Sequence, residues 1–199
     1  MMTERVHDPD DRVLWSRAAS GDESAFGTLF DRHAKAVYNH CFRLTASWAA
    51  AEEHLQNTFL MAWRKRDSVV LENESARPWL LAVATNEVRN WRRTLARRVR
   101  LFDKLQPDPP IPDHADQVAD RVDDQRRMAD LLAAVNKLPR NEREALALCV
   151  WSEVSYAEAA AVLGIAEGSV RARVSKARSR LTRLVANAQP LTVAISEER

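Results

Sequence analysis

The sequence predicts an all-α protein of two small helical domains joined by an extended acidic, proline-rich linker, and three observations carry that prediction. The 199 residues include only four glycines, beside abundant alanine, leucine, arginine and glutamate, which is helix-forming material. No run alternates apolar and polar residues as a half-buried strand does; apolar residues recur at three- and four-residue steps instead. Pro107, Pro109, Pro110 and Pro112 stand among aspartates with few large apolar neighbours, a composition that suits neither a helix nor a packed core. The predicted division is a first domain over 10–100, a linker over 101–122, a second domain over 123–186 and a loose tail over 187–199. With 46 % apolar residues the chain has enough to fill two small cores.

The elements follow in order. Leu14 and Ala18 mark one side of a short first helix, which Gly21 stops and after which Asp22 caps the next. Ala25, Phe26, Leu29, Phe30, His33, Val37, His40, Cys41 and Leu44 form the continuous stripe of a long second helix. His33 and His40 lie beside that stripe with no carboxylate or cysteine to complete a metal site, so both are read as structural histidines. Ser47 caps a third helix with Ala51, Leu55, Phe59 and Ala62 inward and Glu52, Glu53, Gln56 and Asn57 outward. Pro78 ends a polar loop and opens a fourth helix, whose apolar side is Trp79, Leu80, Val83, Ala84, Val88 and Trp91. Its other side carries Asn86, Arg89, Asn90, Arg92 and Arg93, followed by further arginines at 97, 98 and 100; cationic charge interleaved with tryptophan and asparagine suits single-stranded nucleic acid. Beyond the linker, Met128, Leu131, Leu132, Val135 and Leu138 form another stripe, ended by Pro139. A helix from about Asn141 carries Ala145, Leu146, Leu148 and Cys149.

The stretch from Ser155 to Arg183 is the most specific. Ser155 and Glu158 have capping-box spacing, and Gly164 stands where a helix end needs the left-handed conformation. After that turn, Val170, Val174, Ala177, Leu181 and Leu184 give the next helix an apolar back. Arg171, Arg173, Lys176, Arg178, Arg180 and Arg183, with Ser169, Ser175 and Ser179 between them, give it a cationic front. A short helix, a glycine turn and a helix with that front form a helix-turn-helix suited to the major groove of a DNA duplex.

Composition excludes several classes. The formal charge of +2 hides a segregated distribution, with acidic residues in the middle and arginines clustered near 89–100 and 171–183. The start of the chain lacks an export signal's apolar core and no run of about 18 apolar residues occurs, so a soluble, cytoplasmic protein without membrane insertion is expected. Cys41 and Cys149 have no partner at metal or redox spacing and read as buried thiols. No catalytic triad, phosphate-cradling glycine loop or paired-carboxylate motif is present, so no catalytic residue, metal or cofactor is expected.

Four stretches together resemble the extracytoplasmic-function (ECF) sigma factors of the sigma-seventy family, over about residues 10–186. GDESAFGTLFDRHAKAVYNHCFRL resembles the start of region 2, AEEHLQNTFLMAW the clamp-binding helix, RPWLLAVATNEVRNWRR the helix that melts the -10 element, and LPRNEREALAL with SYAEAAAVLGIAEGSVRARVSKARSRL region 4. The resemblance implies a transcription initiation factor with core RNA polymerase as partner, through its β′ clamp helices and β flap, and promoter DNA as both duplex and melted strand. An anti-sigma factor is a further partner of the kind the family has. It assigns Glu53, Gln56 and Asn57 to the polymerase, Asn86 to an unpaired base of the -10 element, the loop from Ser68 to Ser75 to the pocket for a flipped base, and Arg89, Arg92 and Arg93 to the backbone of the melted strand. Ser169, Arg171, Arg173, Ser175, Lys176 and Arg178 fall on the -35 element, with Arg171 and Lys176 as the choices for base edges. The acidic linker would thread toward the polymerase cleft and RNA exit channel.

The sequence departs from the family pattern in two places. Glu53 and Asn57 stand where aspartate and glutamate are usual and His54 where leucine is, which lowers the charge of the polymerase face. Ala166 replaces a capping serine, which costs the reading helix about 0.5 to 2 kcal/mol. The competing reading is a helix-turn-helix regulator that binds duplex DNA without polymerase, its first hundred residues serving for sensing or dimerisation. That reading gives the Asn86 and arginine surface no role.

Overall fold

The computed structural model describes residues 9–71, 73–102 and 133–186. All regular elements among them are helical: α1 (Asp11–Ala19), α2 (Glu23–Thr45), α3 (Trp48–Lys65), α4 (Arg77–Phe102), α5 (Arg140–Leu146) running into a π-helical turn (Ala147–Trp151), α6 (Tyr156–Leu163) and α7 (Glu167–Ala186). A further helical turn over 133–136 precedes Pro139. α4 extends to Phe102, so the first two residues of the stretch expected as linker, 101 and 102, are helical; the remainder of that stretch, together with Met128, Leu131, Leu132 and the tail, lies outside the described residues.

Caps set the boundaries. Asp10 accepts a hydrogen bond from the Arg12 N–H, Asp22 from Ala25 and Ser47 from Ala50, each satisfying a donor that a helix start leaves free. α2 ends at Ala46, whose φ of 54° is left-handed and whose N–H closes on the Phe42 carbonyl.

Helices α1–α4 form one bundle around Leu14, Leu29, Val37, Cys41, Phe59 and Leu80. Trp15 meets Trp79 edge-on at 5.1 Å and donates to the Val69 carbonyl at 2.9 Å, which ties the 66–76 loop to the core. On α4 the buried stripe runs through Leu80, Leu81, Ala84, Thr85 and Val88, while the expected Val83 is half-buried: the helix is rotated slightly, and Leu81 takes the inward place. Helices α5–α7 form a second bundle, with Val135, Leu138, Leu146, Val170, Val174 and Ala177 buried. The two bundles pack against each other, α6 on α4 and the π-helical turn on α2, so their buried residues belong to one continuous cluster.

The expected structural histidines, His33 and His40, lie within the first bundle with one ring nitrogen each hydrogen-bonded, and the buried His40 Nδ1 has no partner. Asp11 accepts from the His33 ring at 2.6 Å, from Arg32 at 2.5 Å, from the Ala76 N–H at 2.8 Å and from the Ser75 hydroxyl at 3.2 Å. An ionised carboxylate only accepts, so the His33 nitrogen facing it carries the proton. Thr85 spends its hydroxyl proton on the Leu81 carbonyl and receives the His40 Nε2–H at 2.9 Å. Cys41 is buried and Cys149 half-buried, and both are free thiols; burial pushes the Cys41 thiol up to about 12.

Candidate nucleic-acid interface

The helix-turn-helix forms as its local signals require. Ser155 accepts the Glu158 N–H at 3.2 Å while the Glu158 carboxylate accepts the Ser155 N–H at 3.0 Å, so α6 starts with two donors satisfied reciprocally. It stops at Gly164, whose φ of 67° a side chain would disfavour. α7 has no side-chain cap at Ala166; the Ala166 carbonyl takes the Ser169 and Val170 N–H groups, and Glu167 in the first turn pairs with Arg171 at 2.6 Å. Val170, Val174 and Ala177 pack inward. Ser169, Arg171, Ser175, Lys176 and Arg178 are exposed and Arg173 is half-buried, which leaves one cationic face for a duplex. The Arg171 guanidinium also lies 4.9 Å from the Tyr156 ring centre, held at the mouth of the turn.

The second cationic surface lies on α4. Asn86 and Arg93 are exposed, and Arg93 donates to Asn90 at 3.0 Å. Arg89 and Arg92 are half-buried. Arg89 forks onto both oxygens of Glu144 in α5, at 3.1 and 2.7 Å, and Arg92 donates to the Leu44 carbonyl at the end of α2. Glu144 is also reached by Arg140 at 2.8 Å; burial raises its pKa, and the two guanidiniums outweigh that and hold it ionised, below its usual range. So the four α4 residues assigned to the melted strand divide: Asn86 and Arg93 face solvent, while Arg89 and Arg92 are engaged within the protein.

Of the loop from Ser68 to Ser75, Val69, Val70, Leu71, Asn73 and Ser75 border a cavity of about 620 Å³ with the start of α4 and one side of α6; Trp79, Ala157 and Val162 also line it, and Asn73 donates to Glu158 at 3.1 Å across it. On α3, Glu53 and Gln56 are exposed and Asn57 is half-buried at a second cleft, about 400 Å³, against Glu87, Asn90 and Trp91 of α4. His54 lies beneath that cleft, edge-on to Trp91 at 5.5 Å.

Sequence reasoning missed Arg43, Arg143, Glu144 and Trp151, which join the bundles. Their one local signal is a run of charges, Glu142, Arg143 and Glu144, at the start of an otherwise apolar segment; all three are buried. Among the described residues no helix is long and apolar enough to cross a membrane, and no three His, Cys, Asp or Glu side chains are grouped as metal ligands.

A helix-turn-helix with an exposed cationic front, carried beside a bundle with its own arginine and asparagine face, defines a DNA-binding protein of transcription. The family model for Sigma-70 region 2 matches residues 29–98 and that for Sigma-70, region 4 matches residues 128–181. RNA polymerase sigma factor NccH of Alcaligenes xylosoxydans xylosoxydans is 32 % identical over 186 residues, 90 % of this chain and 96 % of that protein. ECF RNA polymerase sigma factor SigL of Mycobacterium tuberculosis is 32 % identical over 162 residues, 80 % of this chain and 88 % of that one. Two solved structures are similar: CnrH in complex with the cytosolic domain of CnrY, with TM-score 0.68, 26 % identity and coverage of 89 % and 97 %, and the Bartonella quintana sigma factor RpoE with the anti-sigma factor NepR, with TM-score 0.66, 28 % identity and coverage of 81 % and 96 %. The chain belongs to the ECF RNA polymerase sigma factors of the sigma-70 family.

Proposed function

We propose that the chain works as its family does, in the cytoplasm, joining core RNA polymerase, recognising the -35 and -10 promoter elements and stabilising the melted strand during initiation. Residues 10–100 carry polymerase binding and the -10 element, and residues 123–186 carry the -35 element; the spans matched by the two family models fall inside these bounds. The exposed front of α7 supports duplex reading, with Arg171 and Lys176 at base edges and Arg173, Arg178, Ser169 and Ser175 positioning phosphates. Asn86 reads an unpaired base and Arg89, Arg92 and Arg93 hold its strand. Glu53, Gln56 and Asn57 meet the β′ clamp helices, and the second domain meets the β flap. An anti-sigma partner belongs to the same reading, since one of the two similar structures is a complex with a protein of that class.

One observation carries most of the weight: two cationic faces on separate bundles of a single short chain, one on a capped helix-turn-helix and one beside Asn86 on α4. A polymerase-independent regulator has no use for the second. Run-off transcription with purified core enzyme tests the assignment. Asn86→Ala should lose promoter opening while keeping upstream recognition, and Arg171→Ala should lose upstream recognition, each by roughly tenfold or more for one base-edge contact. Wild-type transcript levels from both variants would remove these residues from the interface.

A further inference from the structure

We propose that the free chain masks its own melted-strand grip: Glu144 holds Arg89 as a strand phosphate would, while the duplex-reading front of α7 stays open. The inference rests on the reading of Arg89 and Arg92 as strand contacts.

A carboxylate that offers both oxygens to one guanidinium presents the same fork as a phosphate, so Glu144 occupies the Arg89 donors that a nucleic-acid backbone would use. The pair is sheltered, with the Glu144 side chain only 7 % exposed and the Arg89 side chain 20 %. Around it the bundles cap each other's helix ends. The Leu44 carbonyl at the end of α2 receives Arg143 of α5 at 3.3 Å, beside Arg92. The Trp151 carbonyl at the end of the π-helical turn receives Arg43 of α2 at 3.1 Å, with that guanidinium 5.5 Å from the Trp151 ring centre. Carbonyls at helix ends have no partner in their own helix, so these contacts satisfy groups that closure would otherwise strand. Leu44, Val88, Ala147 and Trp151 form the apolar patch between them.

The seam therefore sets charge-assisted contacts beside a shared apolar cluster, and the charged part is what a competing polyanion or a larger partner displaces. Closure engages Arg89 and Arg92 and leaves Arg171, Lys176 and Arg178 exposed. In the closed chain the -35 reader is available, while the Arg89 and Arg92 half of the -10 grip is not. Binding core polymerase at both bundles separates them, and strand holding is thereby confined to the assembled enzyme.

The test uses the full chain, a dye pair on the two bundles and a fluorescent mixed-sequence single-stranded DNA of about twelve nucleotides, within the range of such sites. Glu144→Gln should lengthen the inter-dye distance and tighten strand binding by about fivefold or more, because apparent affinity scales with the fraction of competent molecules. Glu142→Gln makes the same charge change but breaks only the Arg180 contact inside the second bundle, and should leave both readouts at wild type. The Glu144→Gln gain should vanish when Arg89→Ala is added. An unchanged distance and affinity in Glu144→Gln, an equal gain in Glu142→Gln, or a gain that survives Arg89→Ala each overturns the proposal. Should Glu144→Gln fail to fold, the wild-type chain still decides it: rising salt should lengthen the inter-dye distance, and a distance unmoved by salt counts against closure. If Arg89→Ala weakens strand binding while Glu144→Gln does nothing, the mask fails and the strand contact stands; if Arg89→Ala has no effect in any background, both fail.

Discussion

Asp11 and the buried histidines show how single side chains position the rest. Burial alone would raise the Asp11 pKa, but hydrogen bonds from His33, the Ala76 N–H and Arg32 outweigh it and hold the carboxyl well below its ordinary 3.8. That contribution to stability is complete above the ordinary value and is lost as pH falls through and below it. His40 behaves in the same sense at higher pH. Burial first, then the nearby Arg43 charge, lowers it from 6.5 to about 3, so the unfolded chain binds the extra proton between those values and stability falls as pH drops below 6.5. His54 is lowered too, by burial first, and neither of its ring nitrogens has a hydrogen-bond partner. Thermal melts from about pH 8 to pH 5 should therefore show a falling Tm, with slope up to about 1.4 kcal/mol per pH unit for each such histidine. His54→Leu should raise stability by about 1 to 3 kcal/mol and flatten that slope, because an apolar side chain leaves no buried polar atom unpaired. An unchanged or lower Tm would mean that the imidazole has a partner. The structural role of His33 and His40 was legible from the absence of completing ligands; that Asp11 serves as the common acceptor was not, since its partners lie 21 to 65 residues away.

At the scale of elements the sequence was most informative where the physics is local. The Ser155 and Glu158 reciprocity and the Gly164 stop each fit within a few residues, and the structure places both where the spacing predicts. Gly164→Ala should destabilise the second bundle by about 1 to 2 kcal/mol through the left-handed conformation alone, since open space surrounds the position a Cβ would take. Ala166→Ser should act in the opposite direction, adding an oxygen for an unsatisfied N–H at the start of α7 and about 0.5 to 2 kcal/mol. Chemical denaturation of both variants checks the pair, and equal midpoints would show that the turn is tolerant of either change. The π-helical turn was not legible: a continuous apolar pattern, ALALCV, reads as ordinary helix, and only tertiary packing against α2 reveals the wider turn.

For the whole molecule, two bundles were legible from composition, and their closure was not. Periodicity reports which face of a helix is apolar; it is silent on contacts 55, 99 and 108 residues apart, which are the separations of Arg89 from Glu144, Leu44 from Arg143 and Arg43 from Trp151. The shared seam predicts that the bundles melt together. Calorimetry should give one transition for the wild-type chain and two for Trp151→Ala, which removes the apolar patch and the ring beside Arg43; two transitions in both would mean that the seam does not couple them. The π-helical turn also sets how α6 and α7 sit on α5. Its wide hydrogen bonds, Ser152 N–H to the Ala147 carbonyl at 3.1 Å among them, admit one residue more than a regular coil would. Deleting one residue there would restore the regular winding and swivel everything downstream by about 100°. The direction in which the exposed cationic front of α7 points, relative to α5, is thus set by a single surplus amino acid in the turn between them.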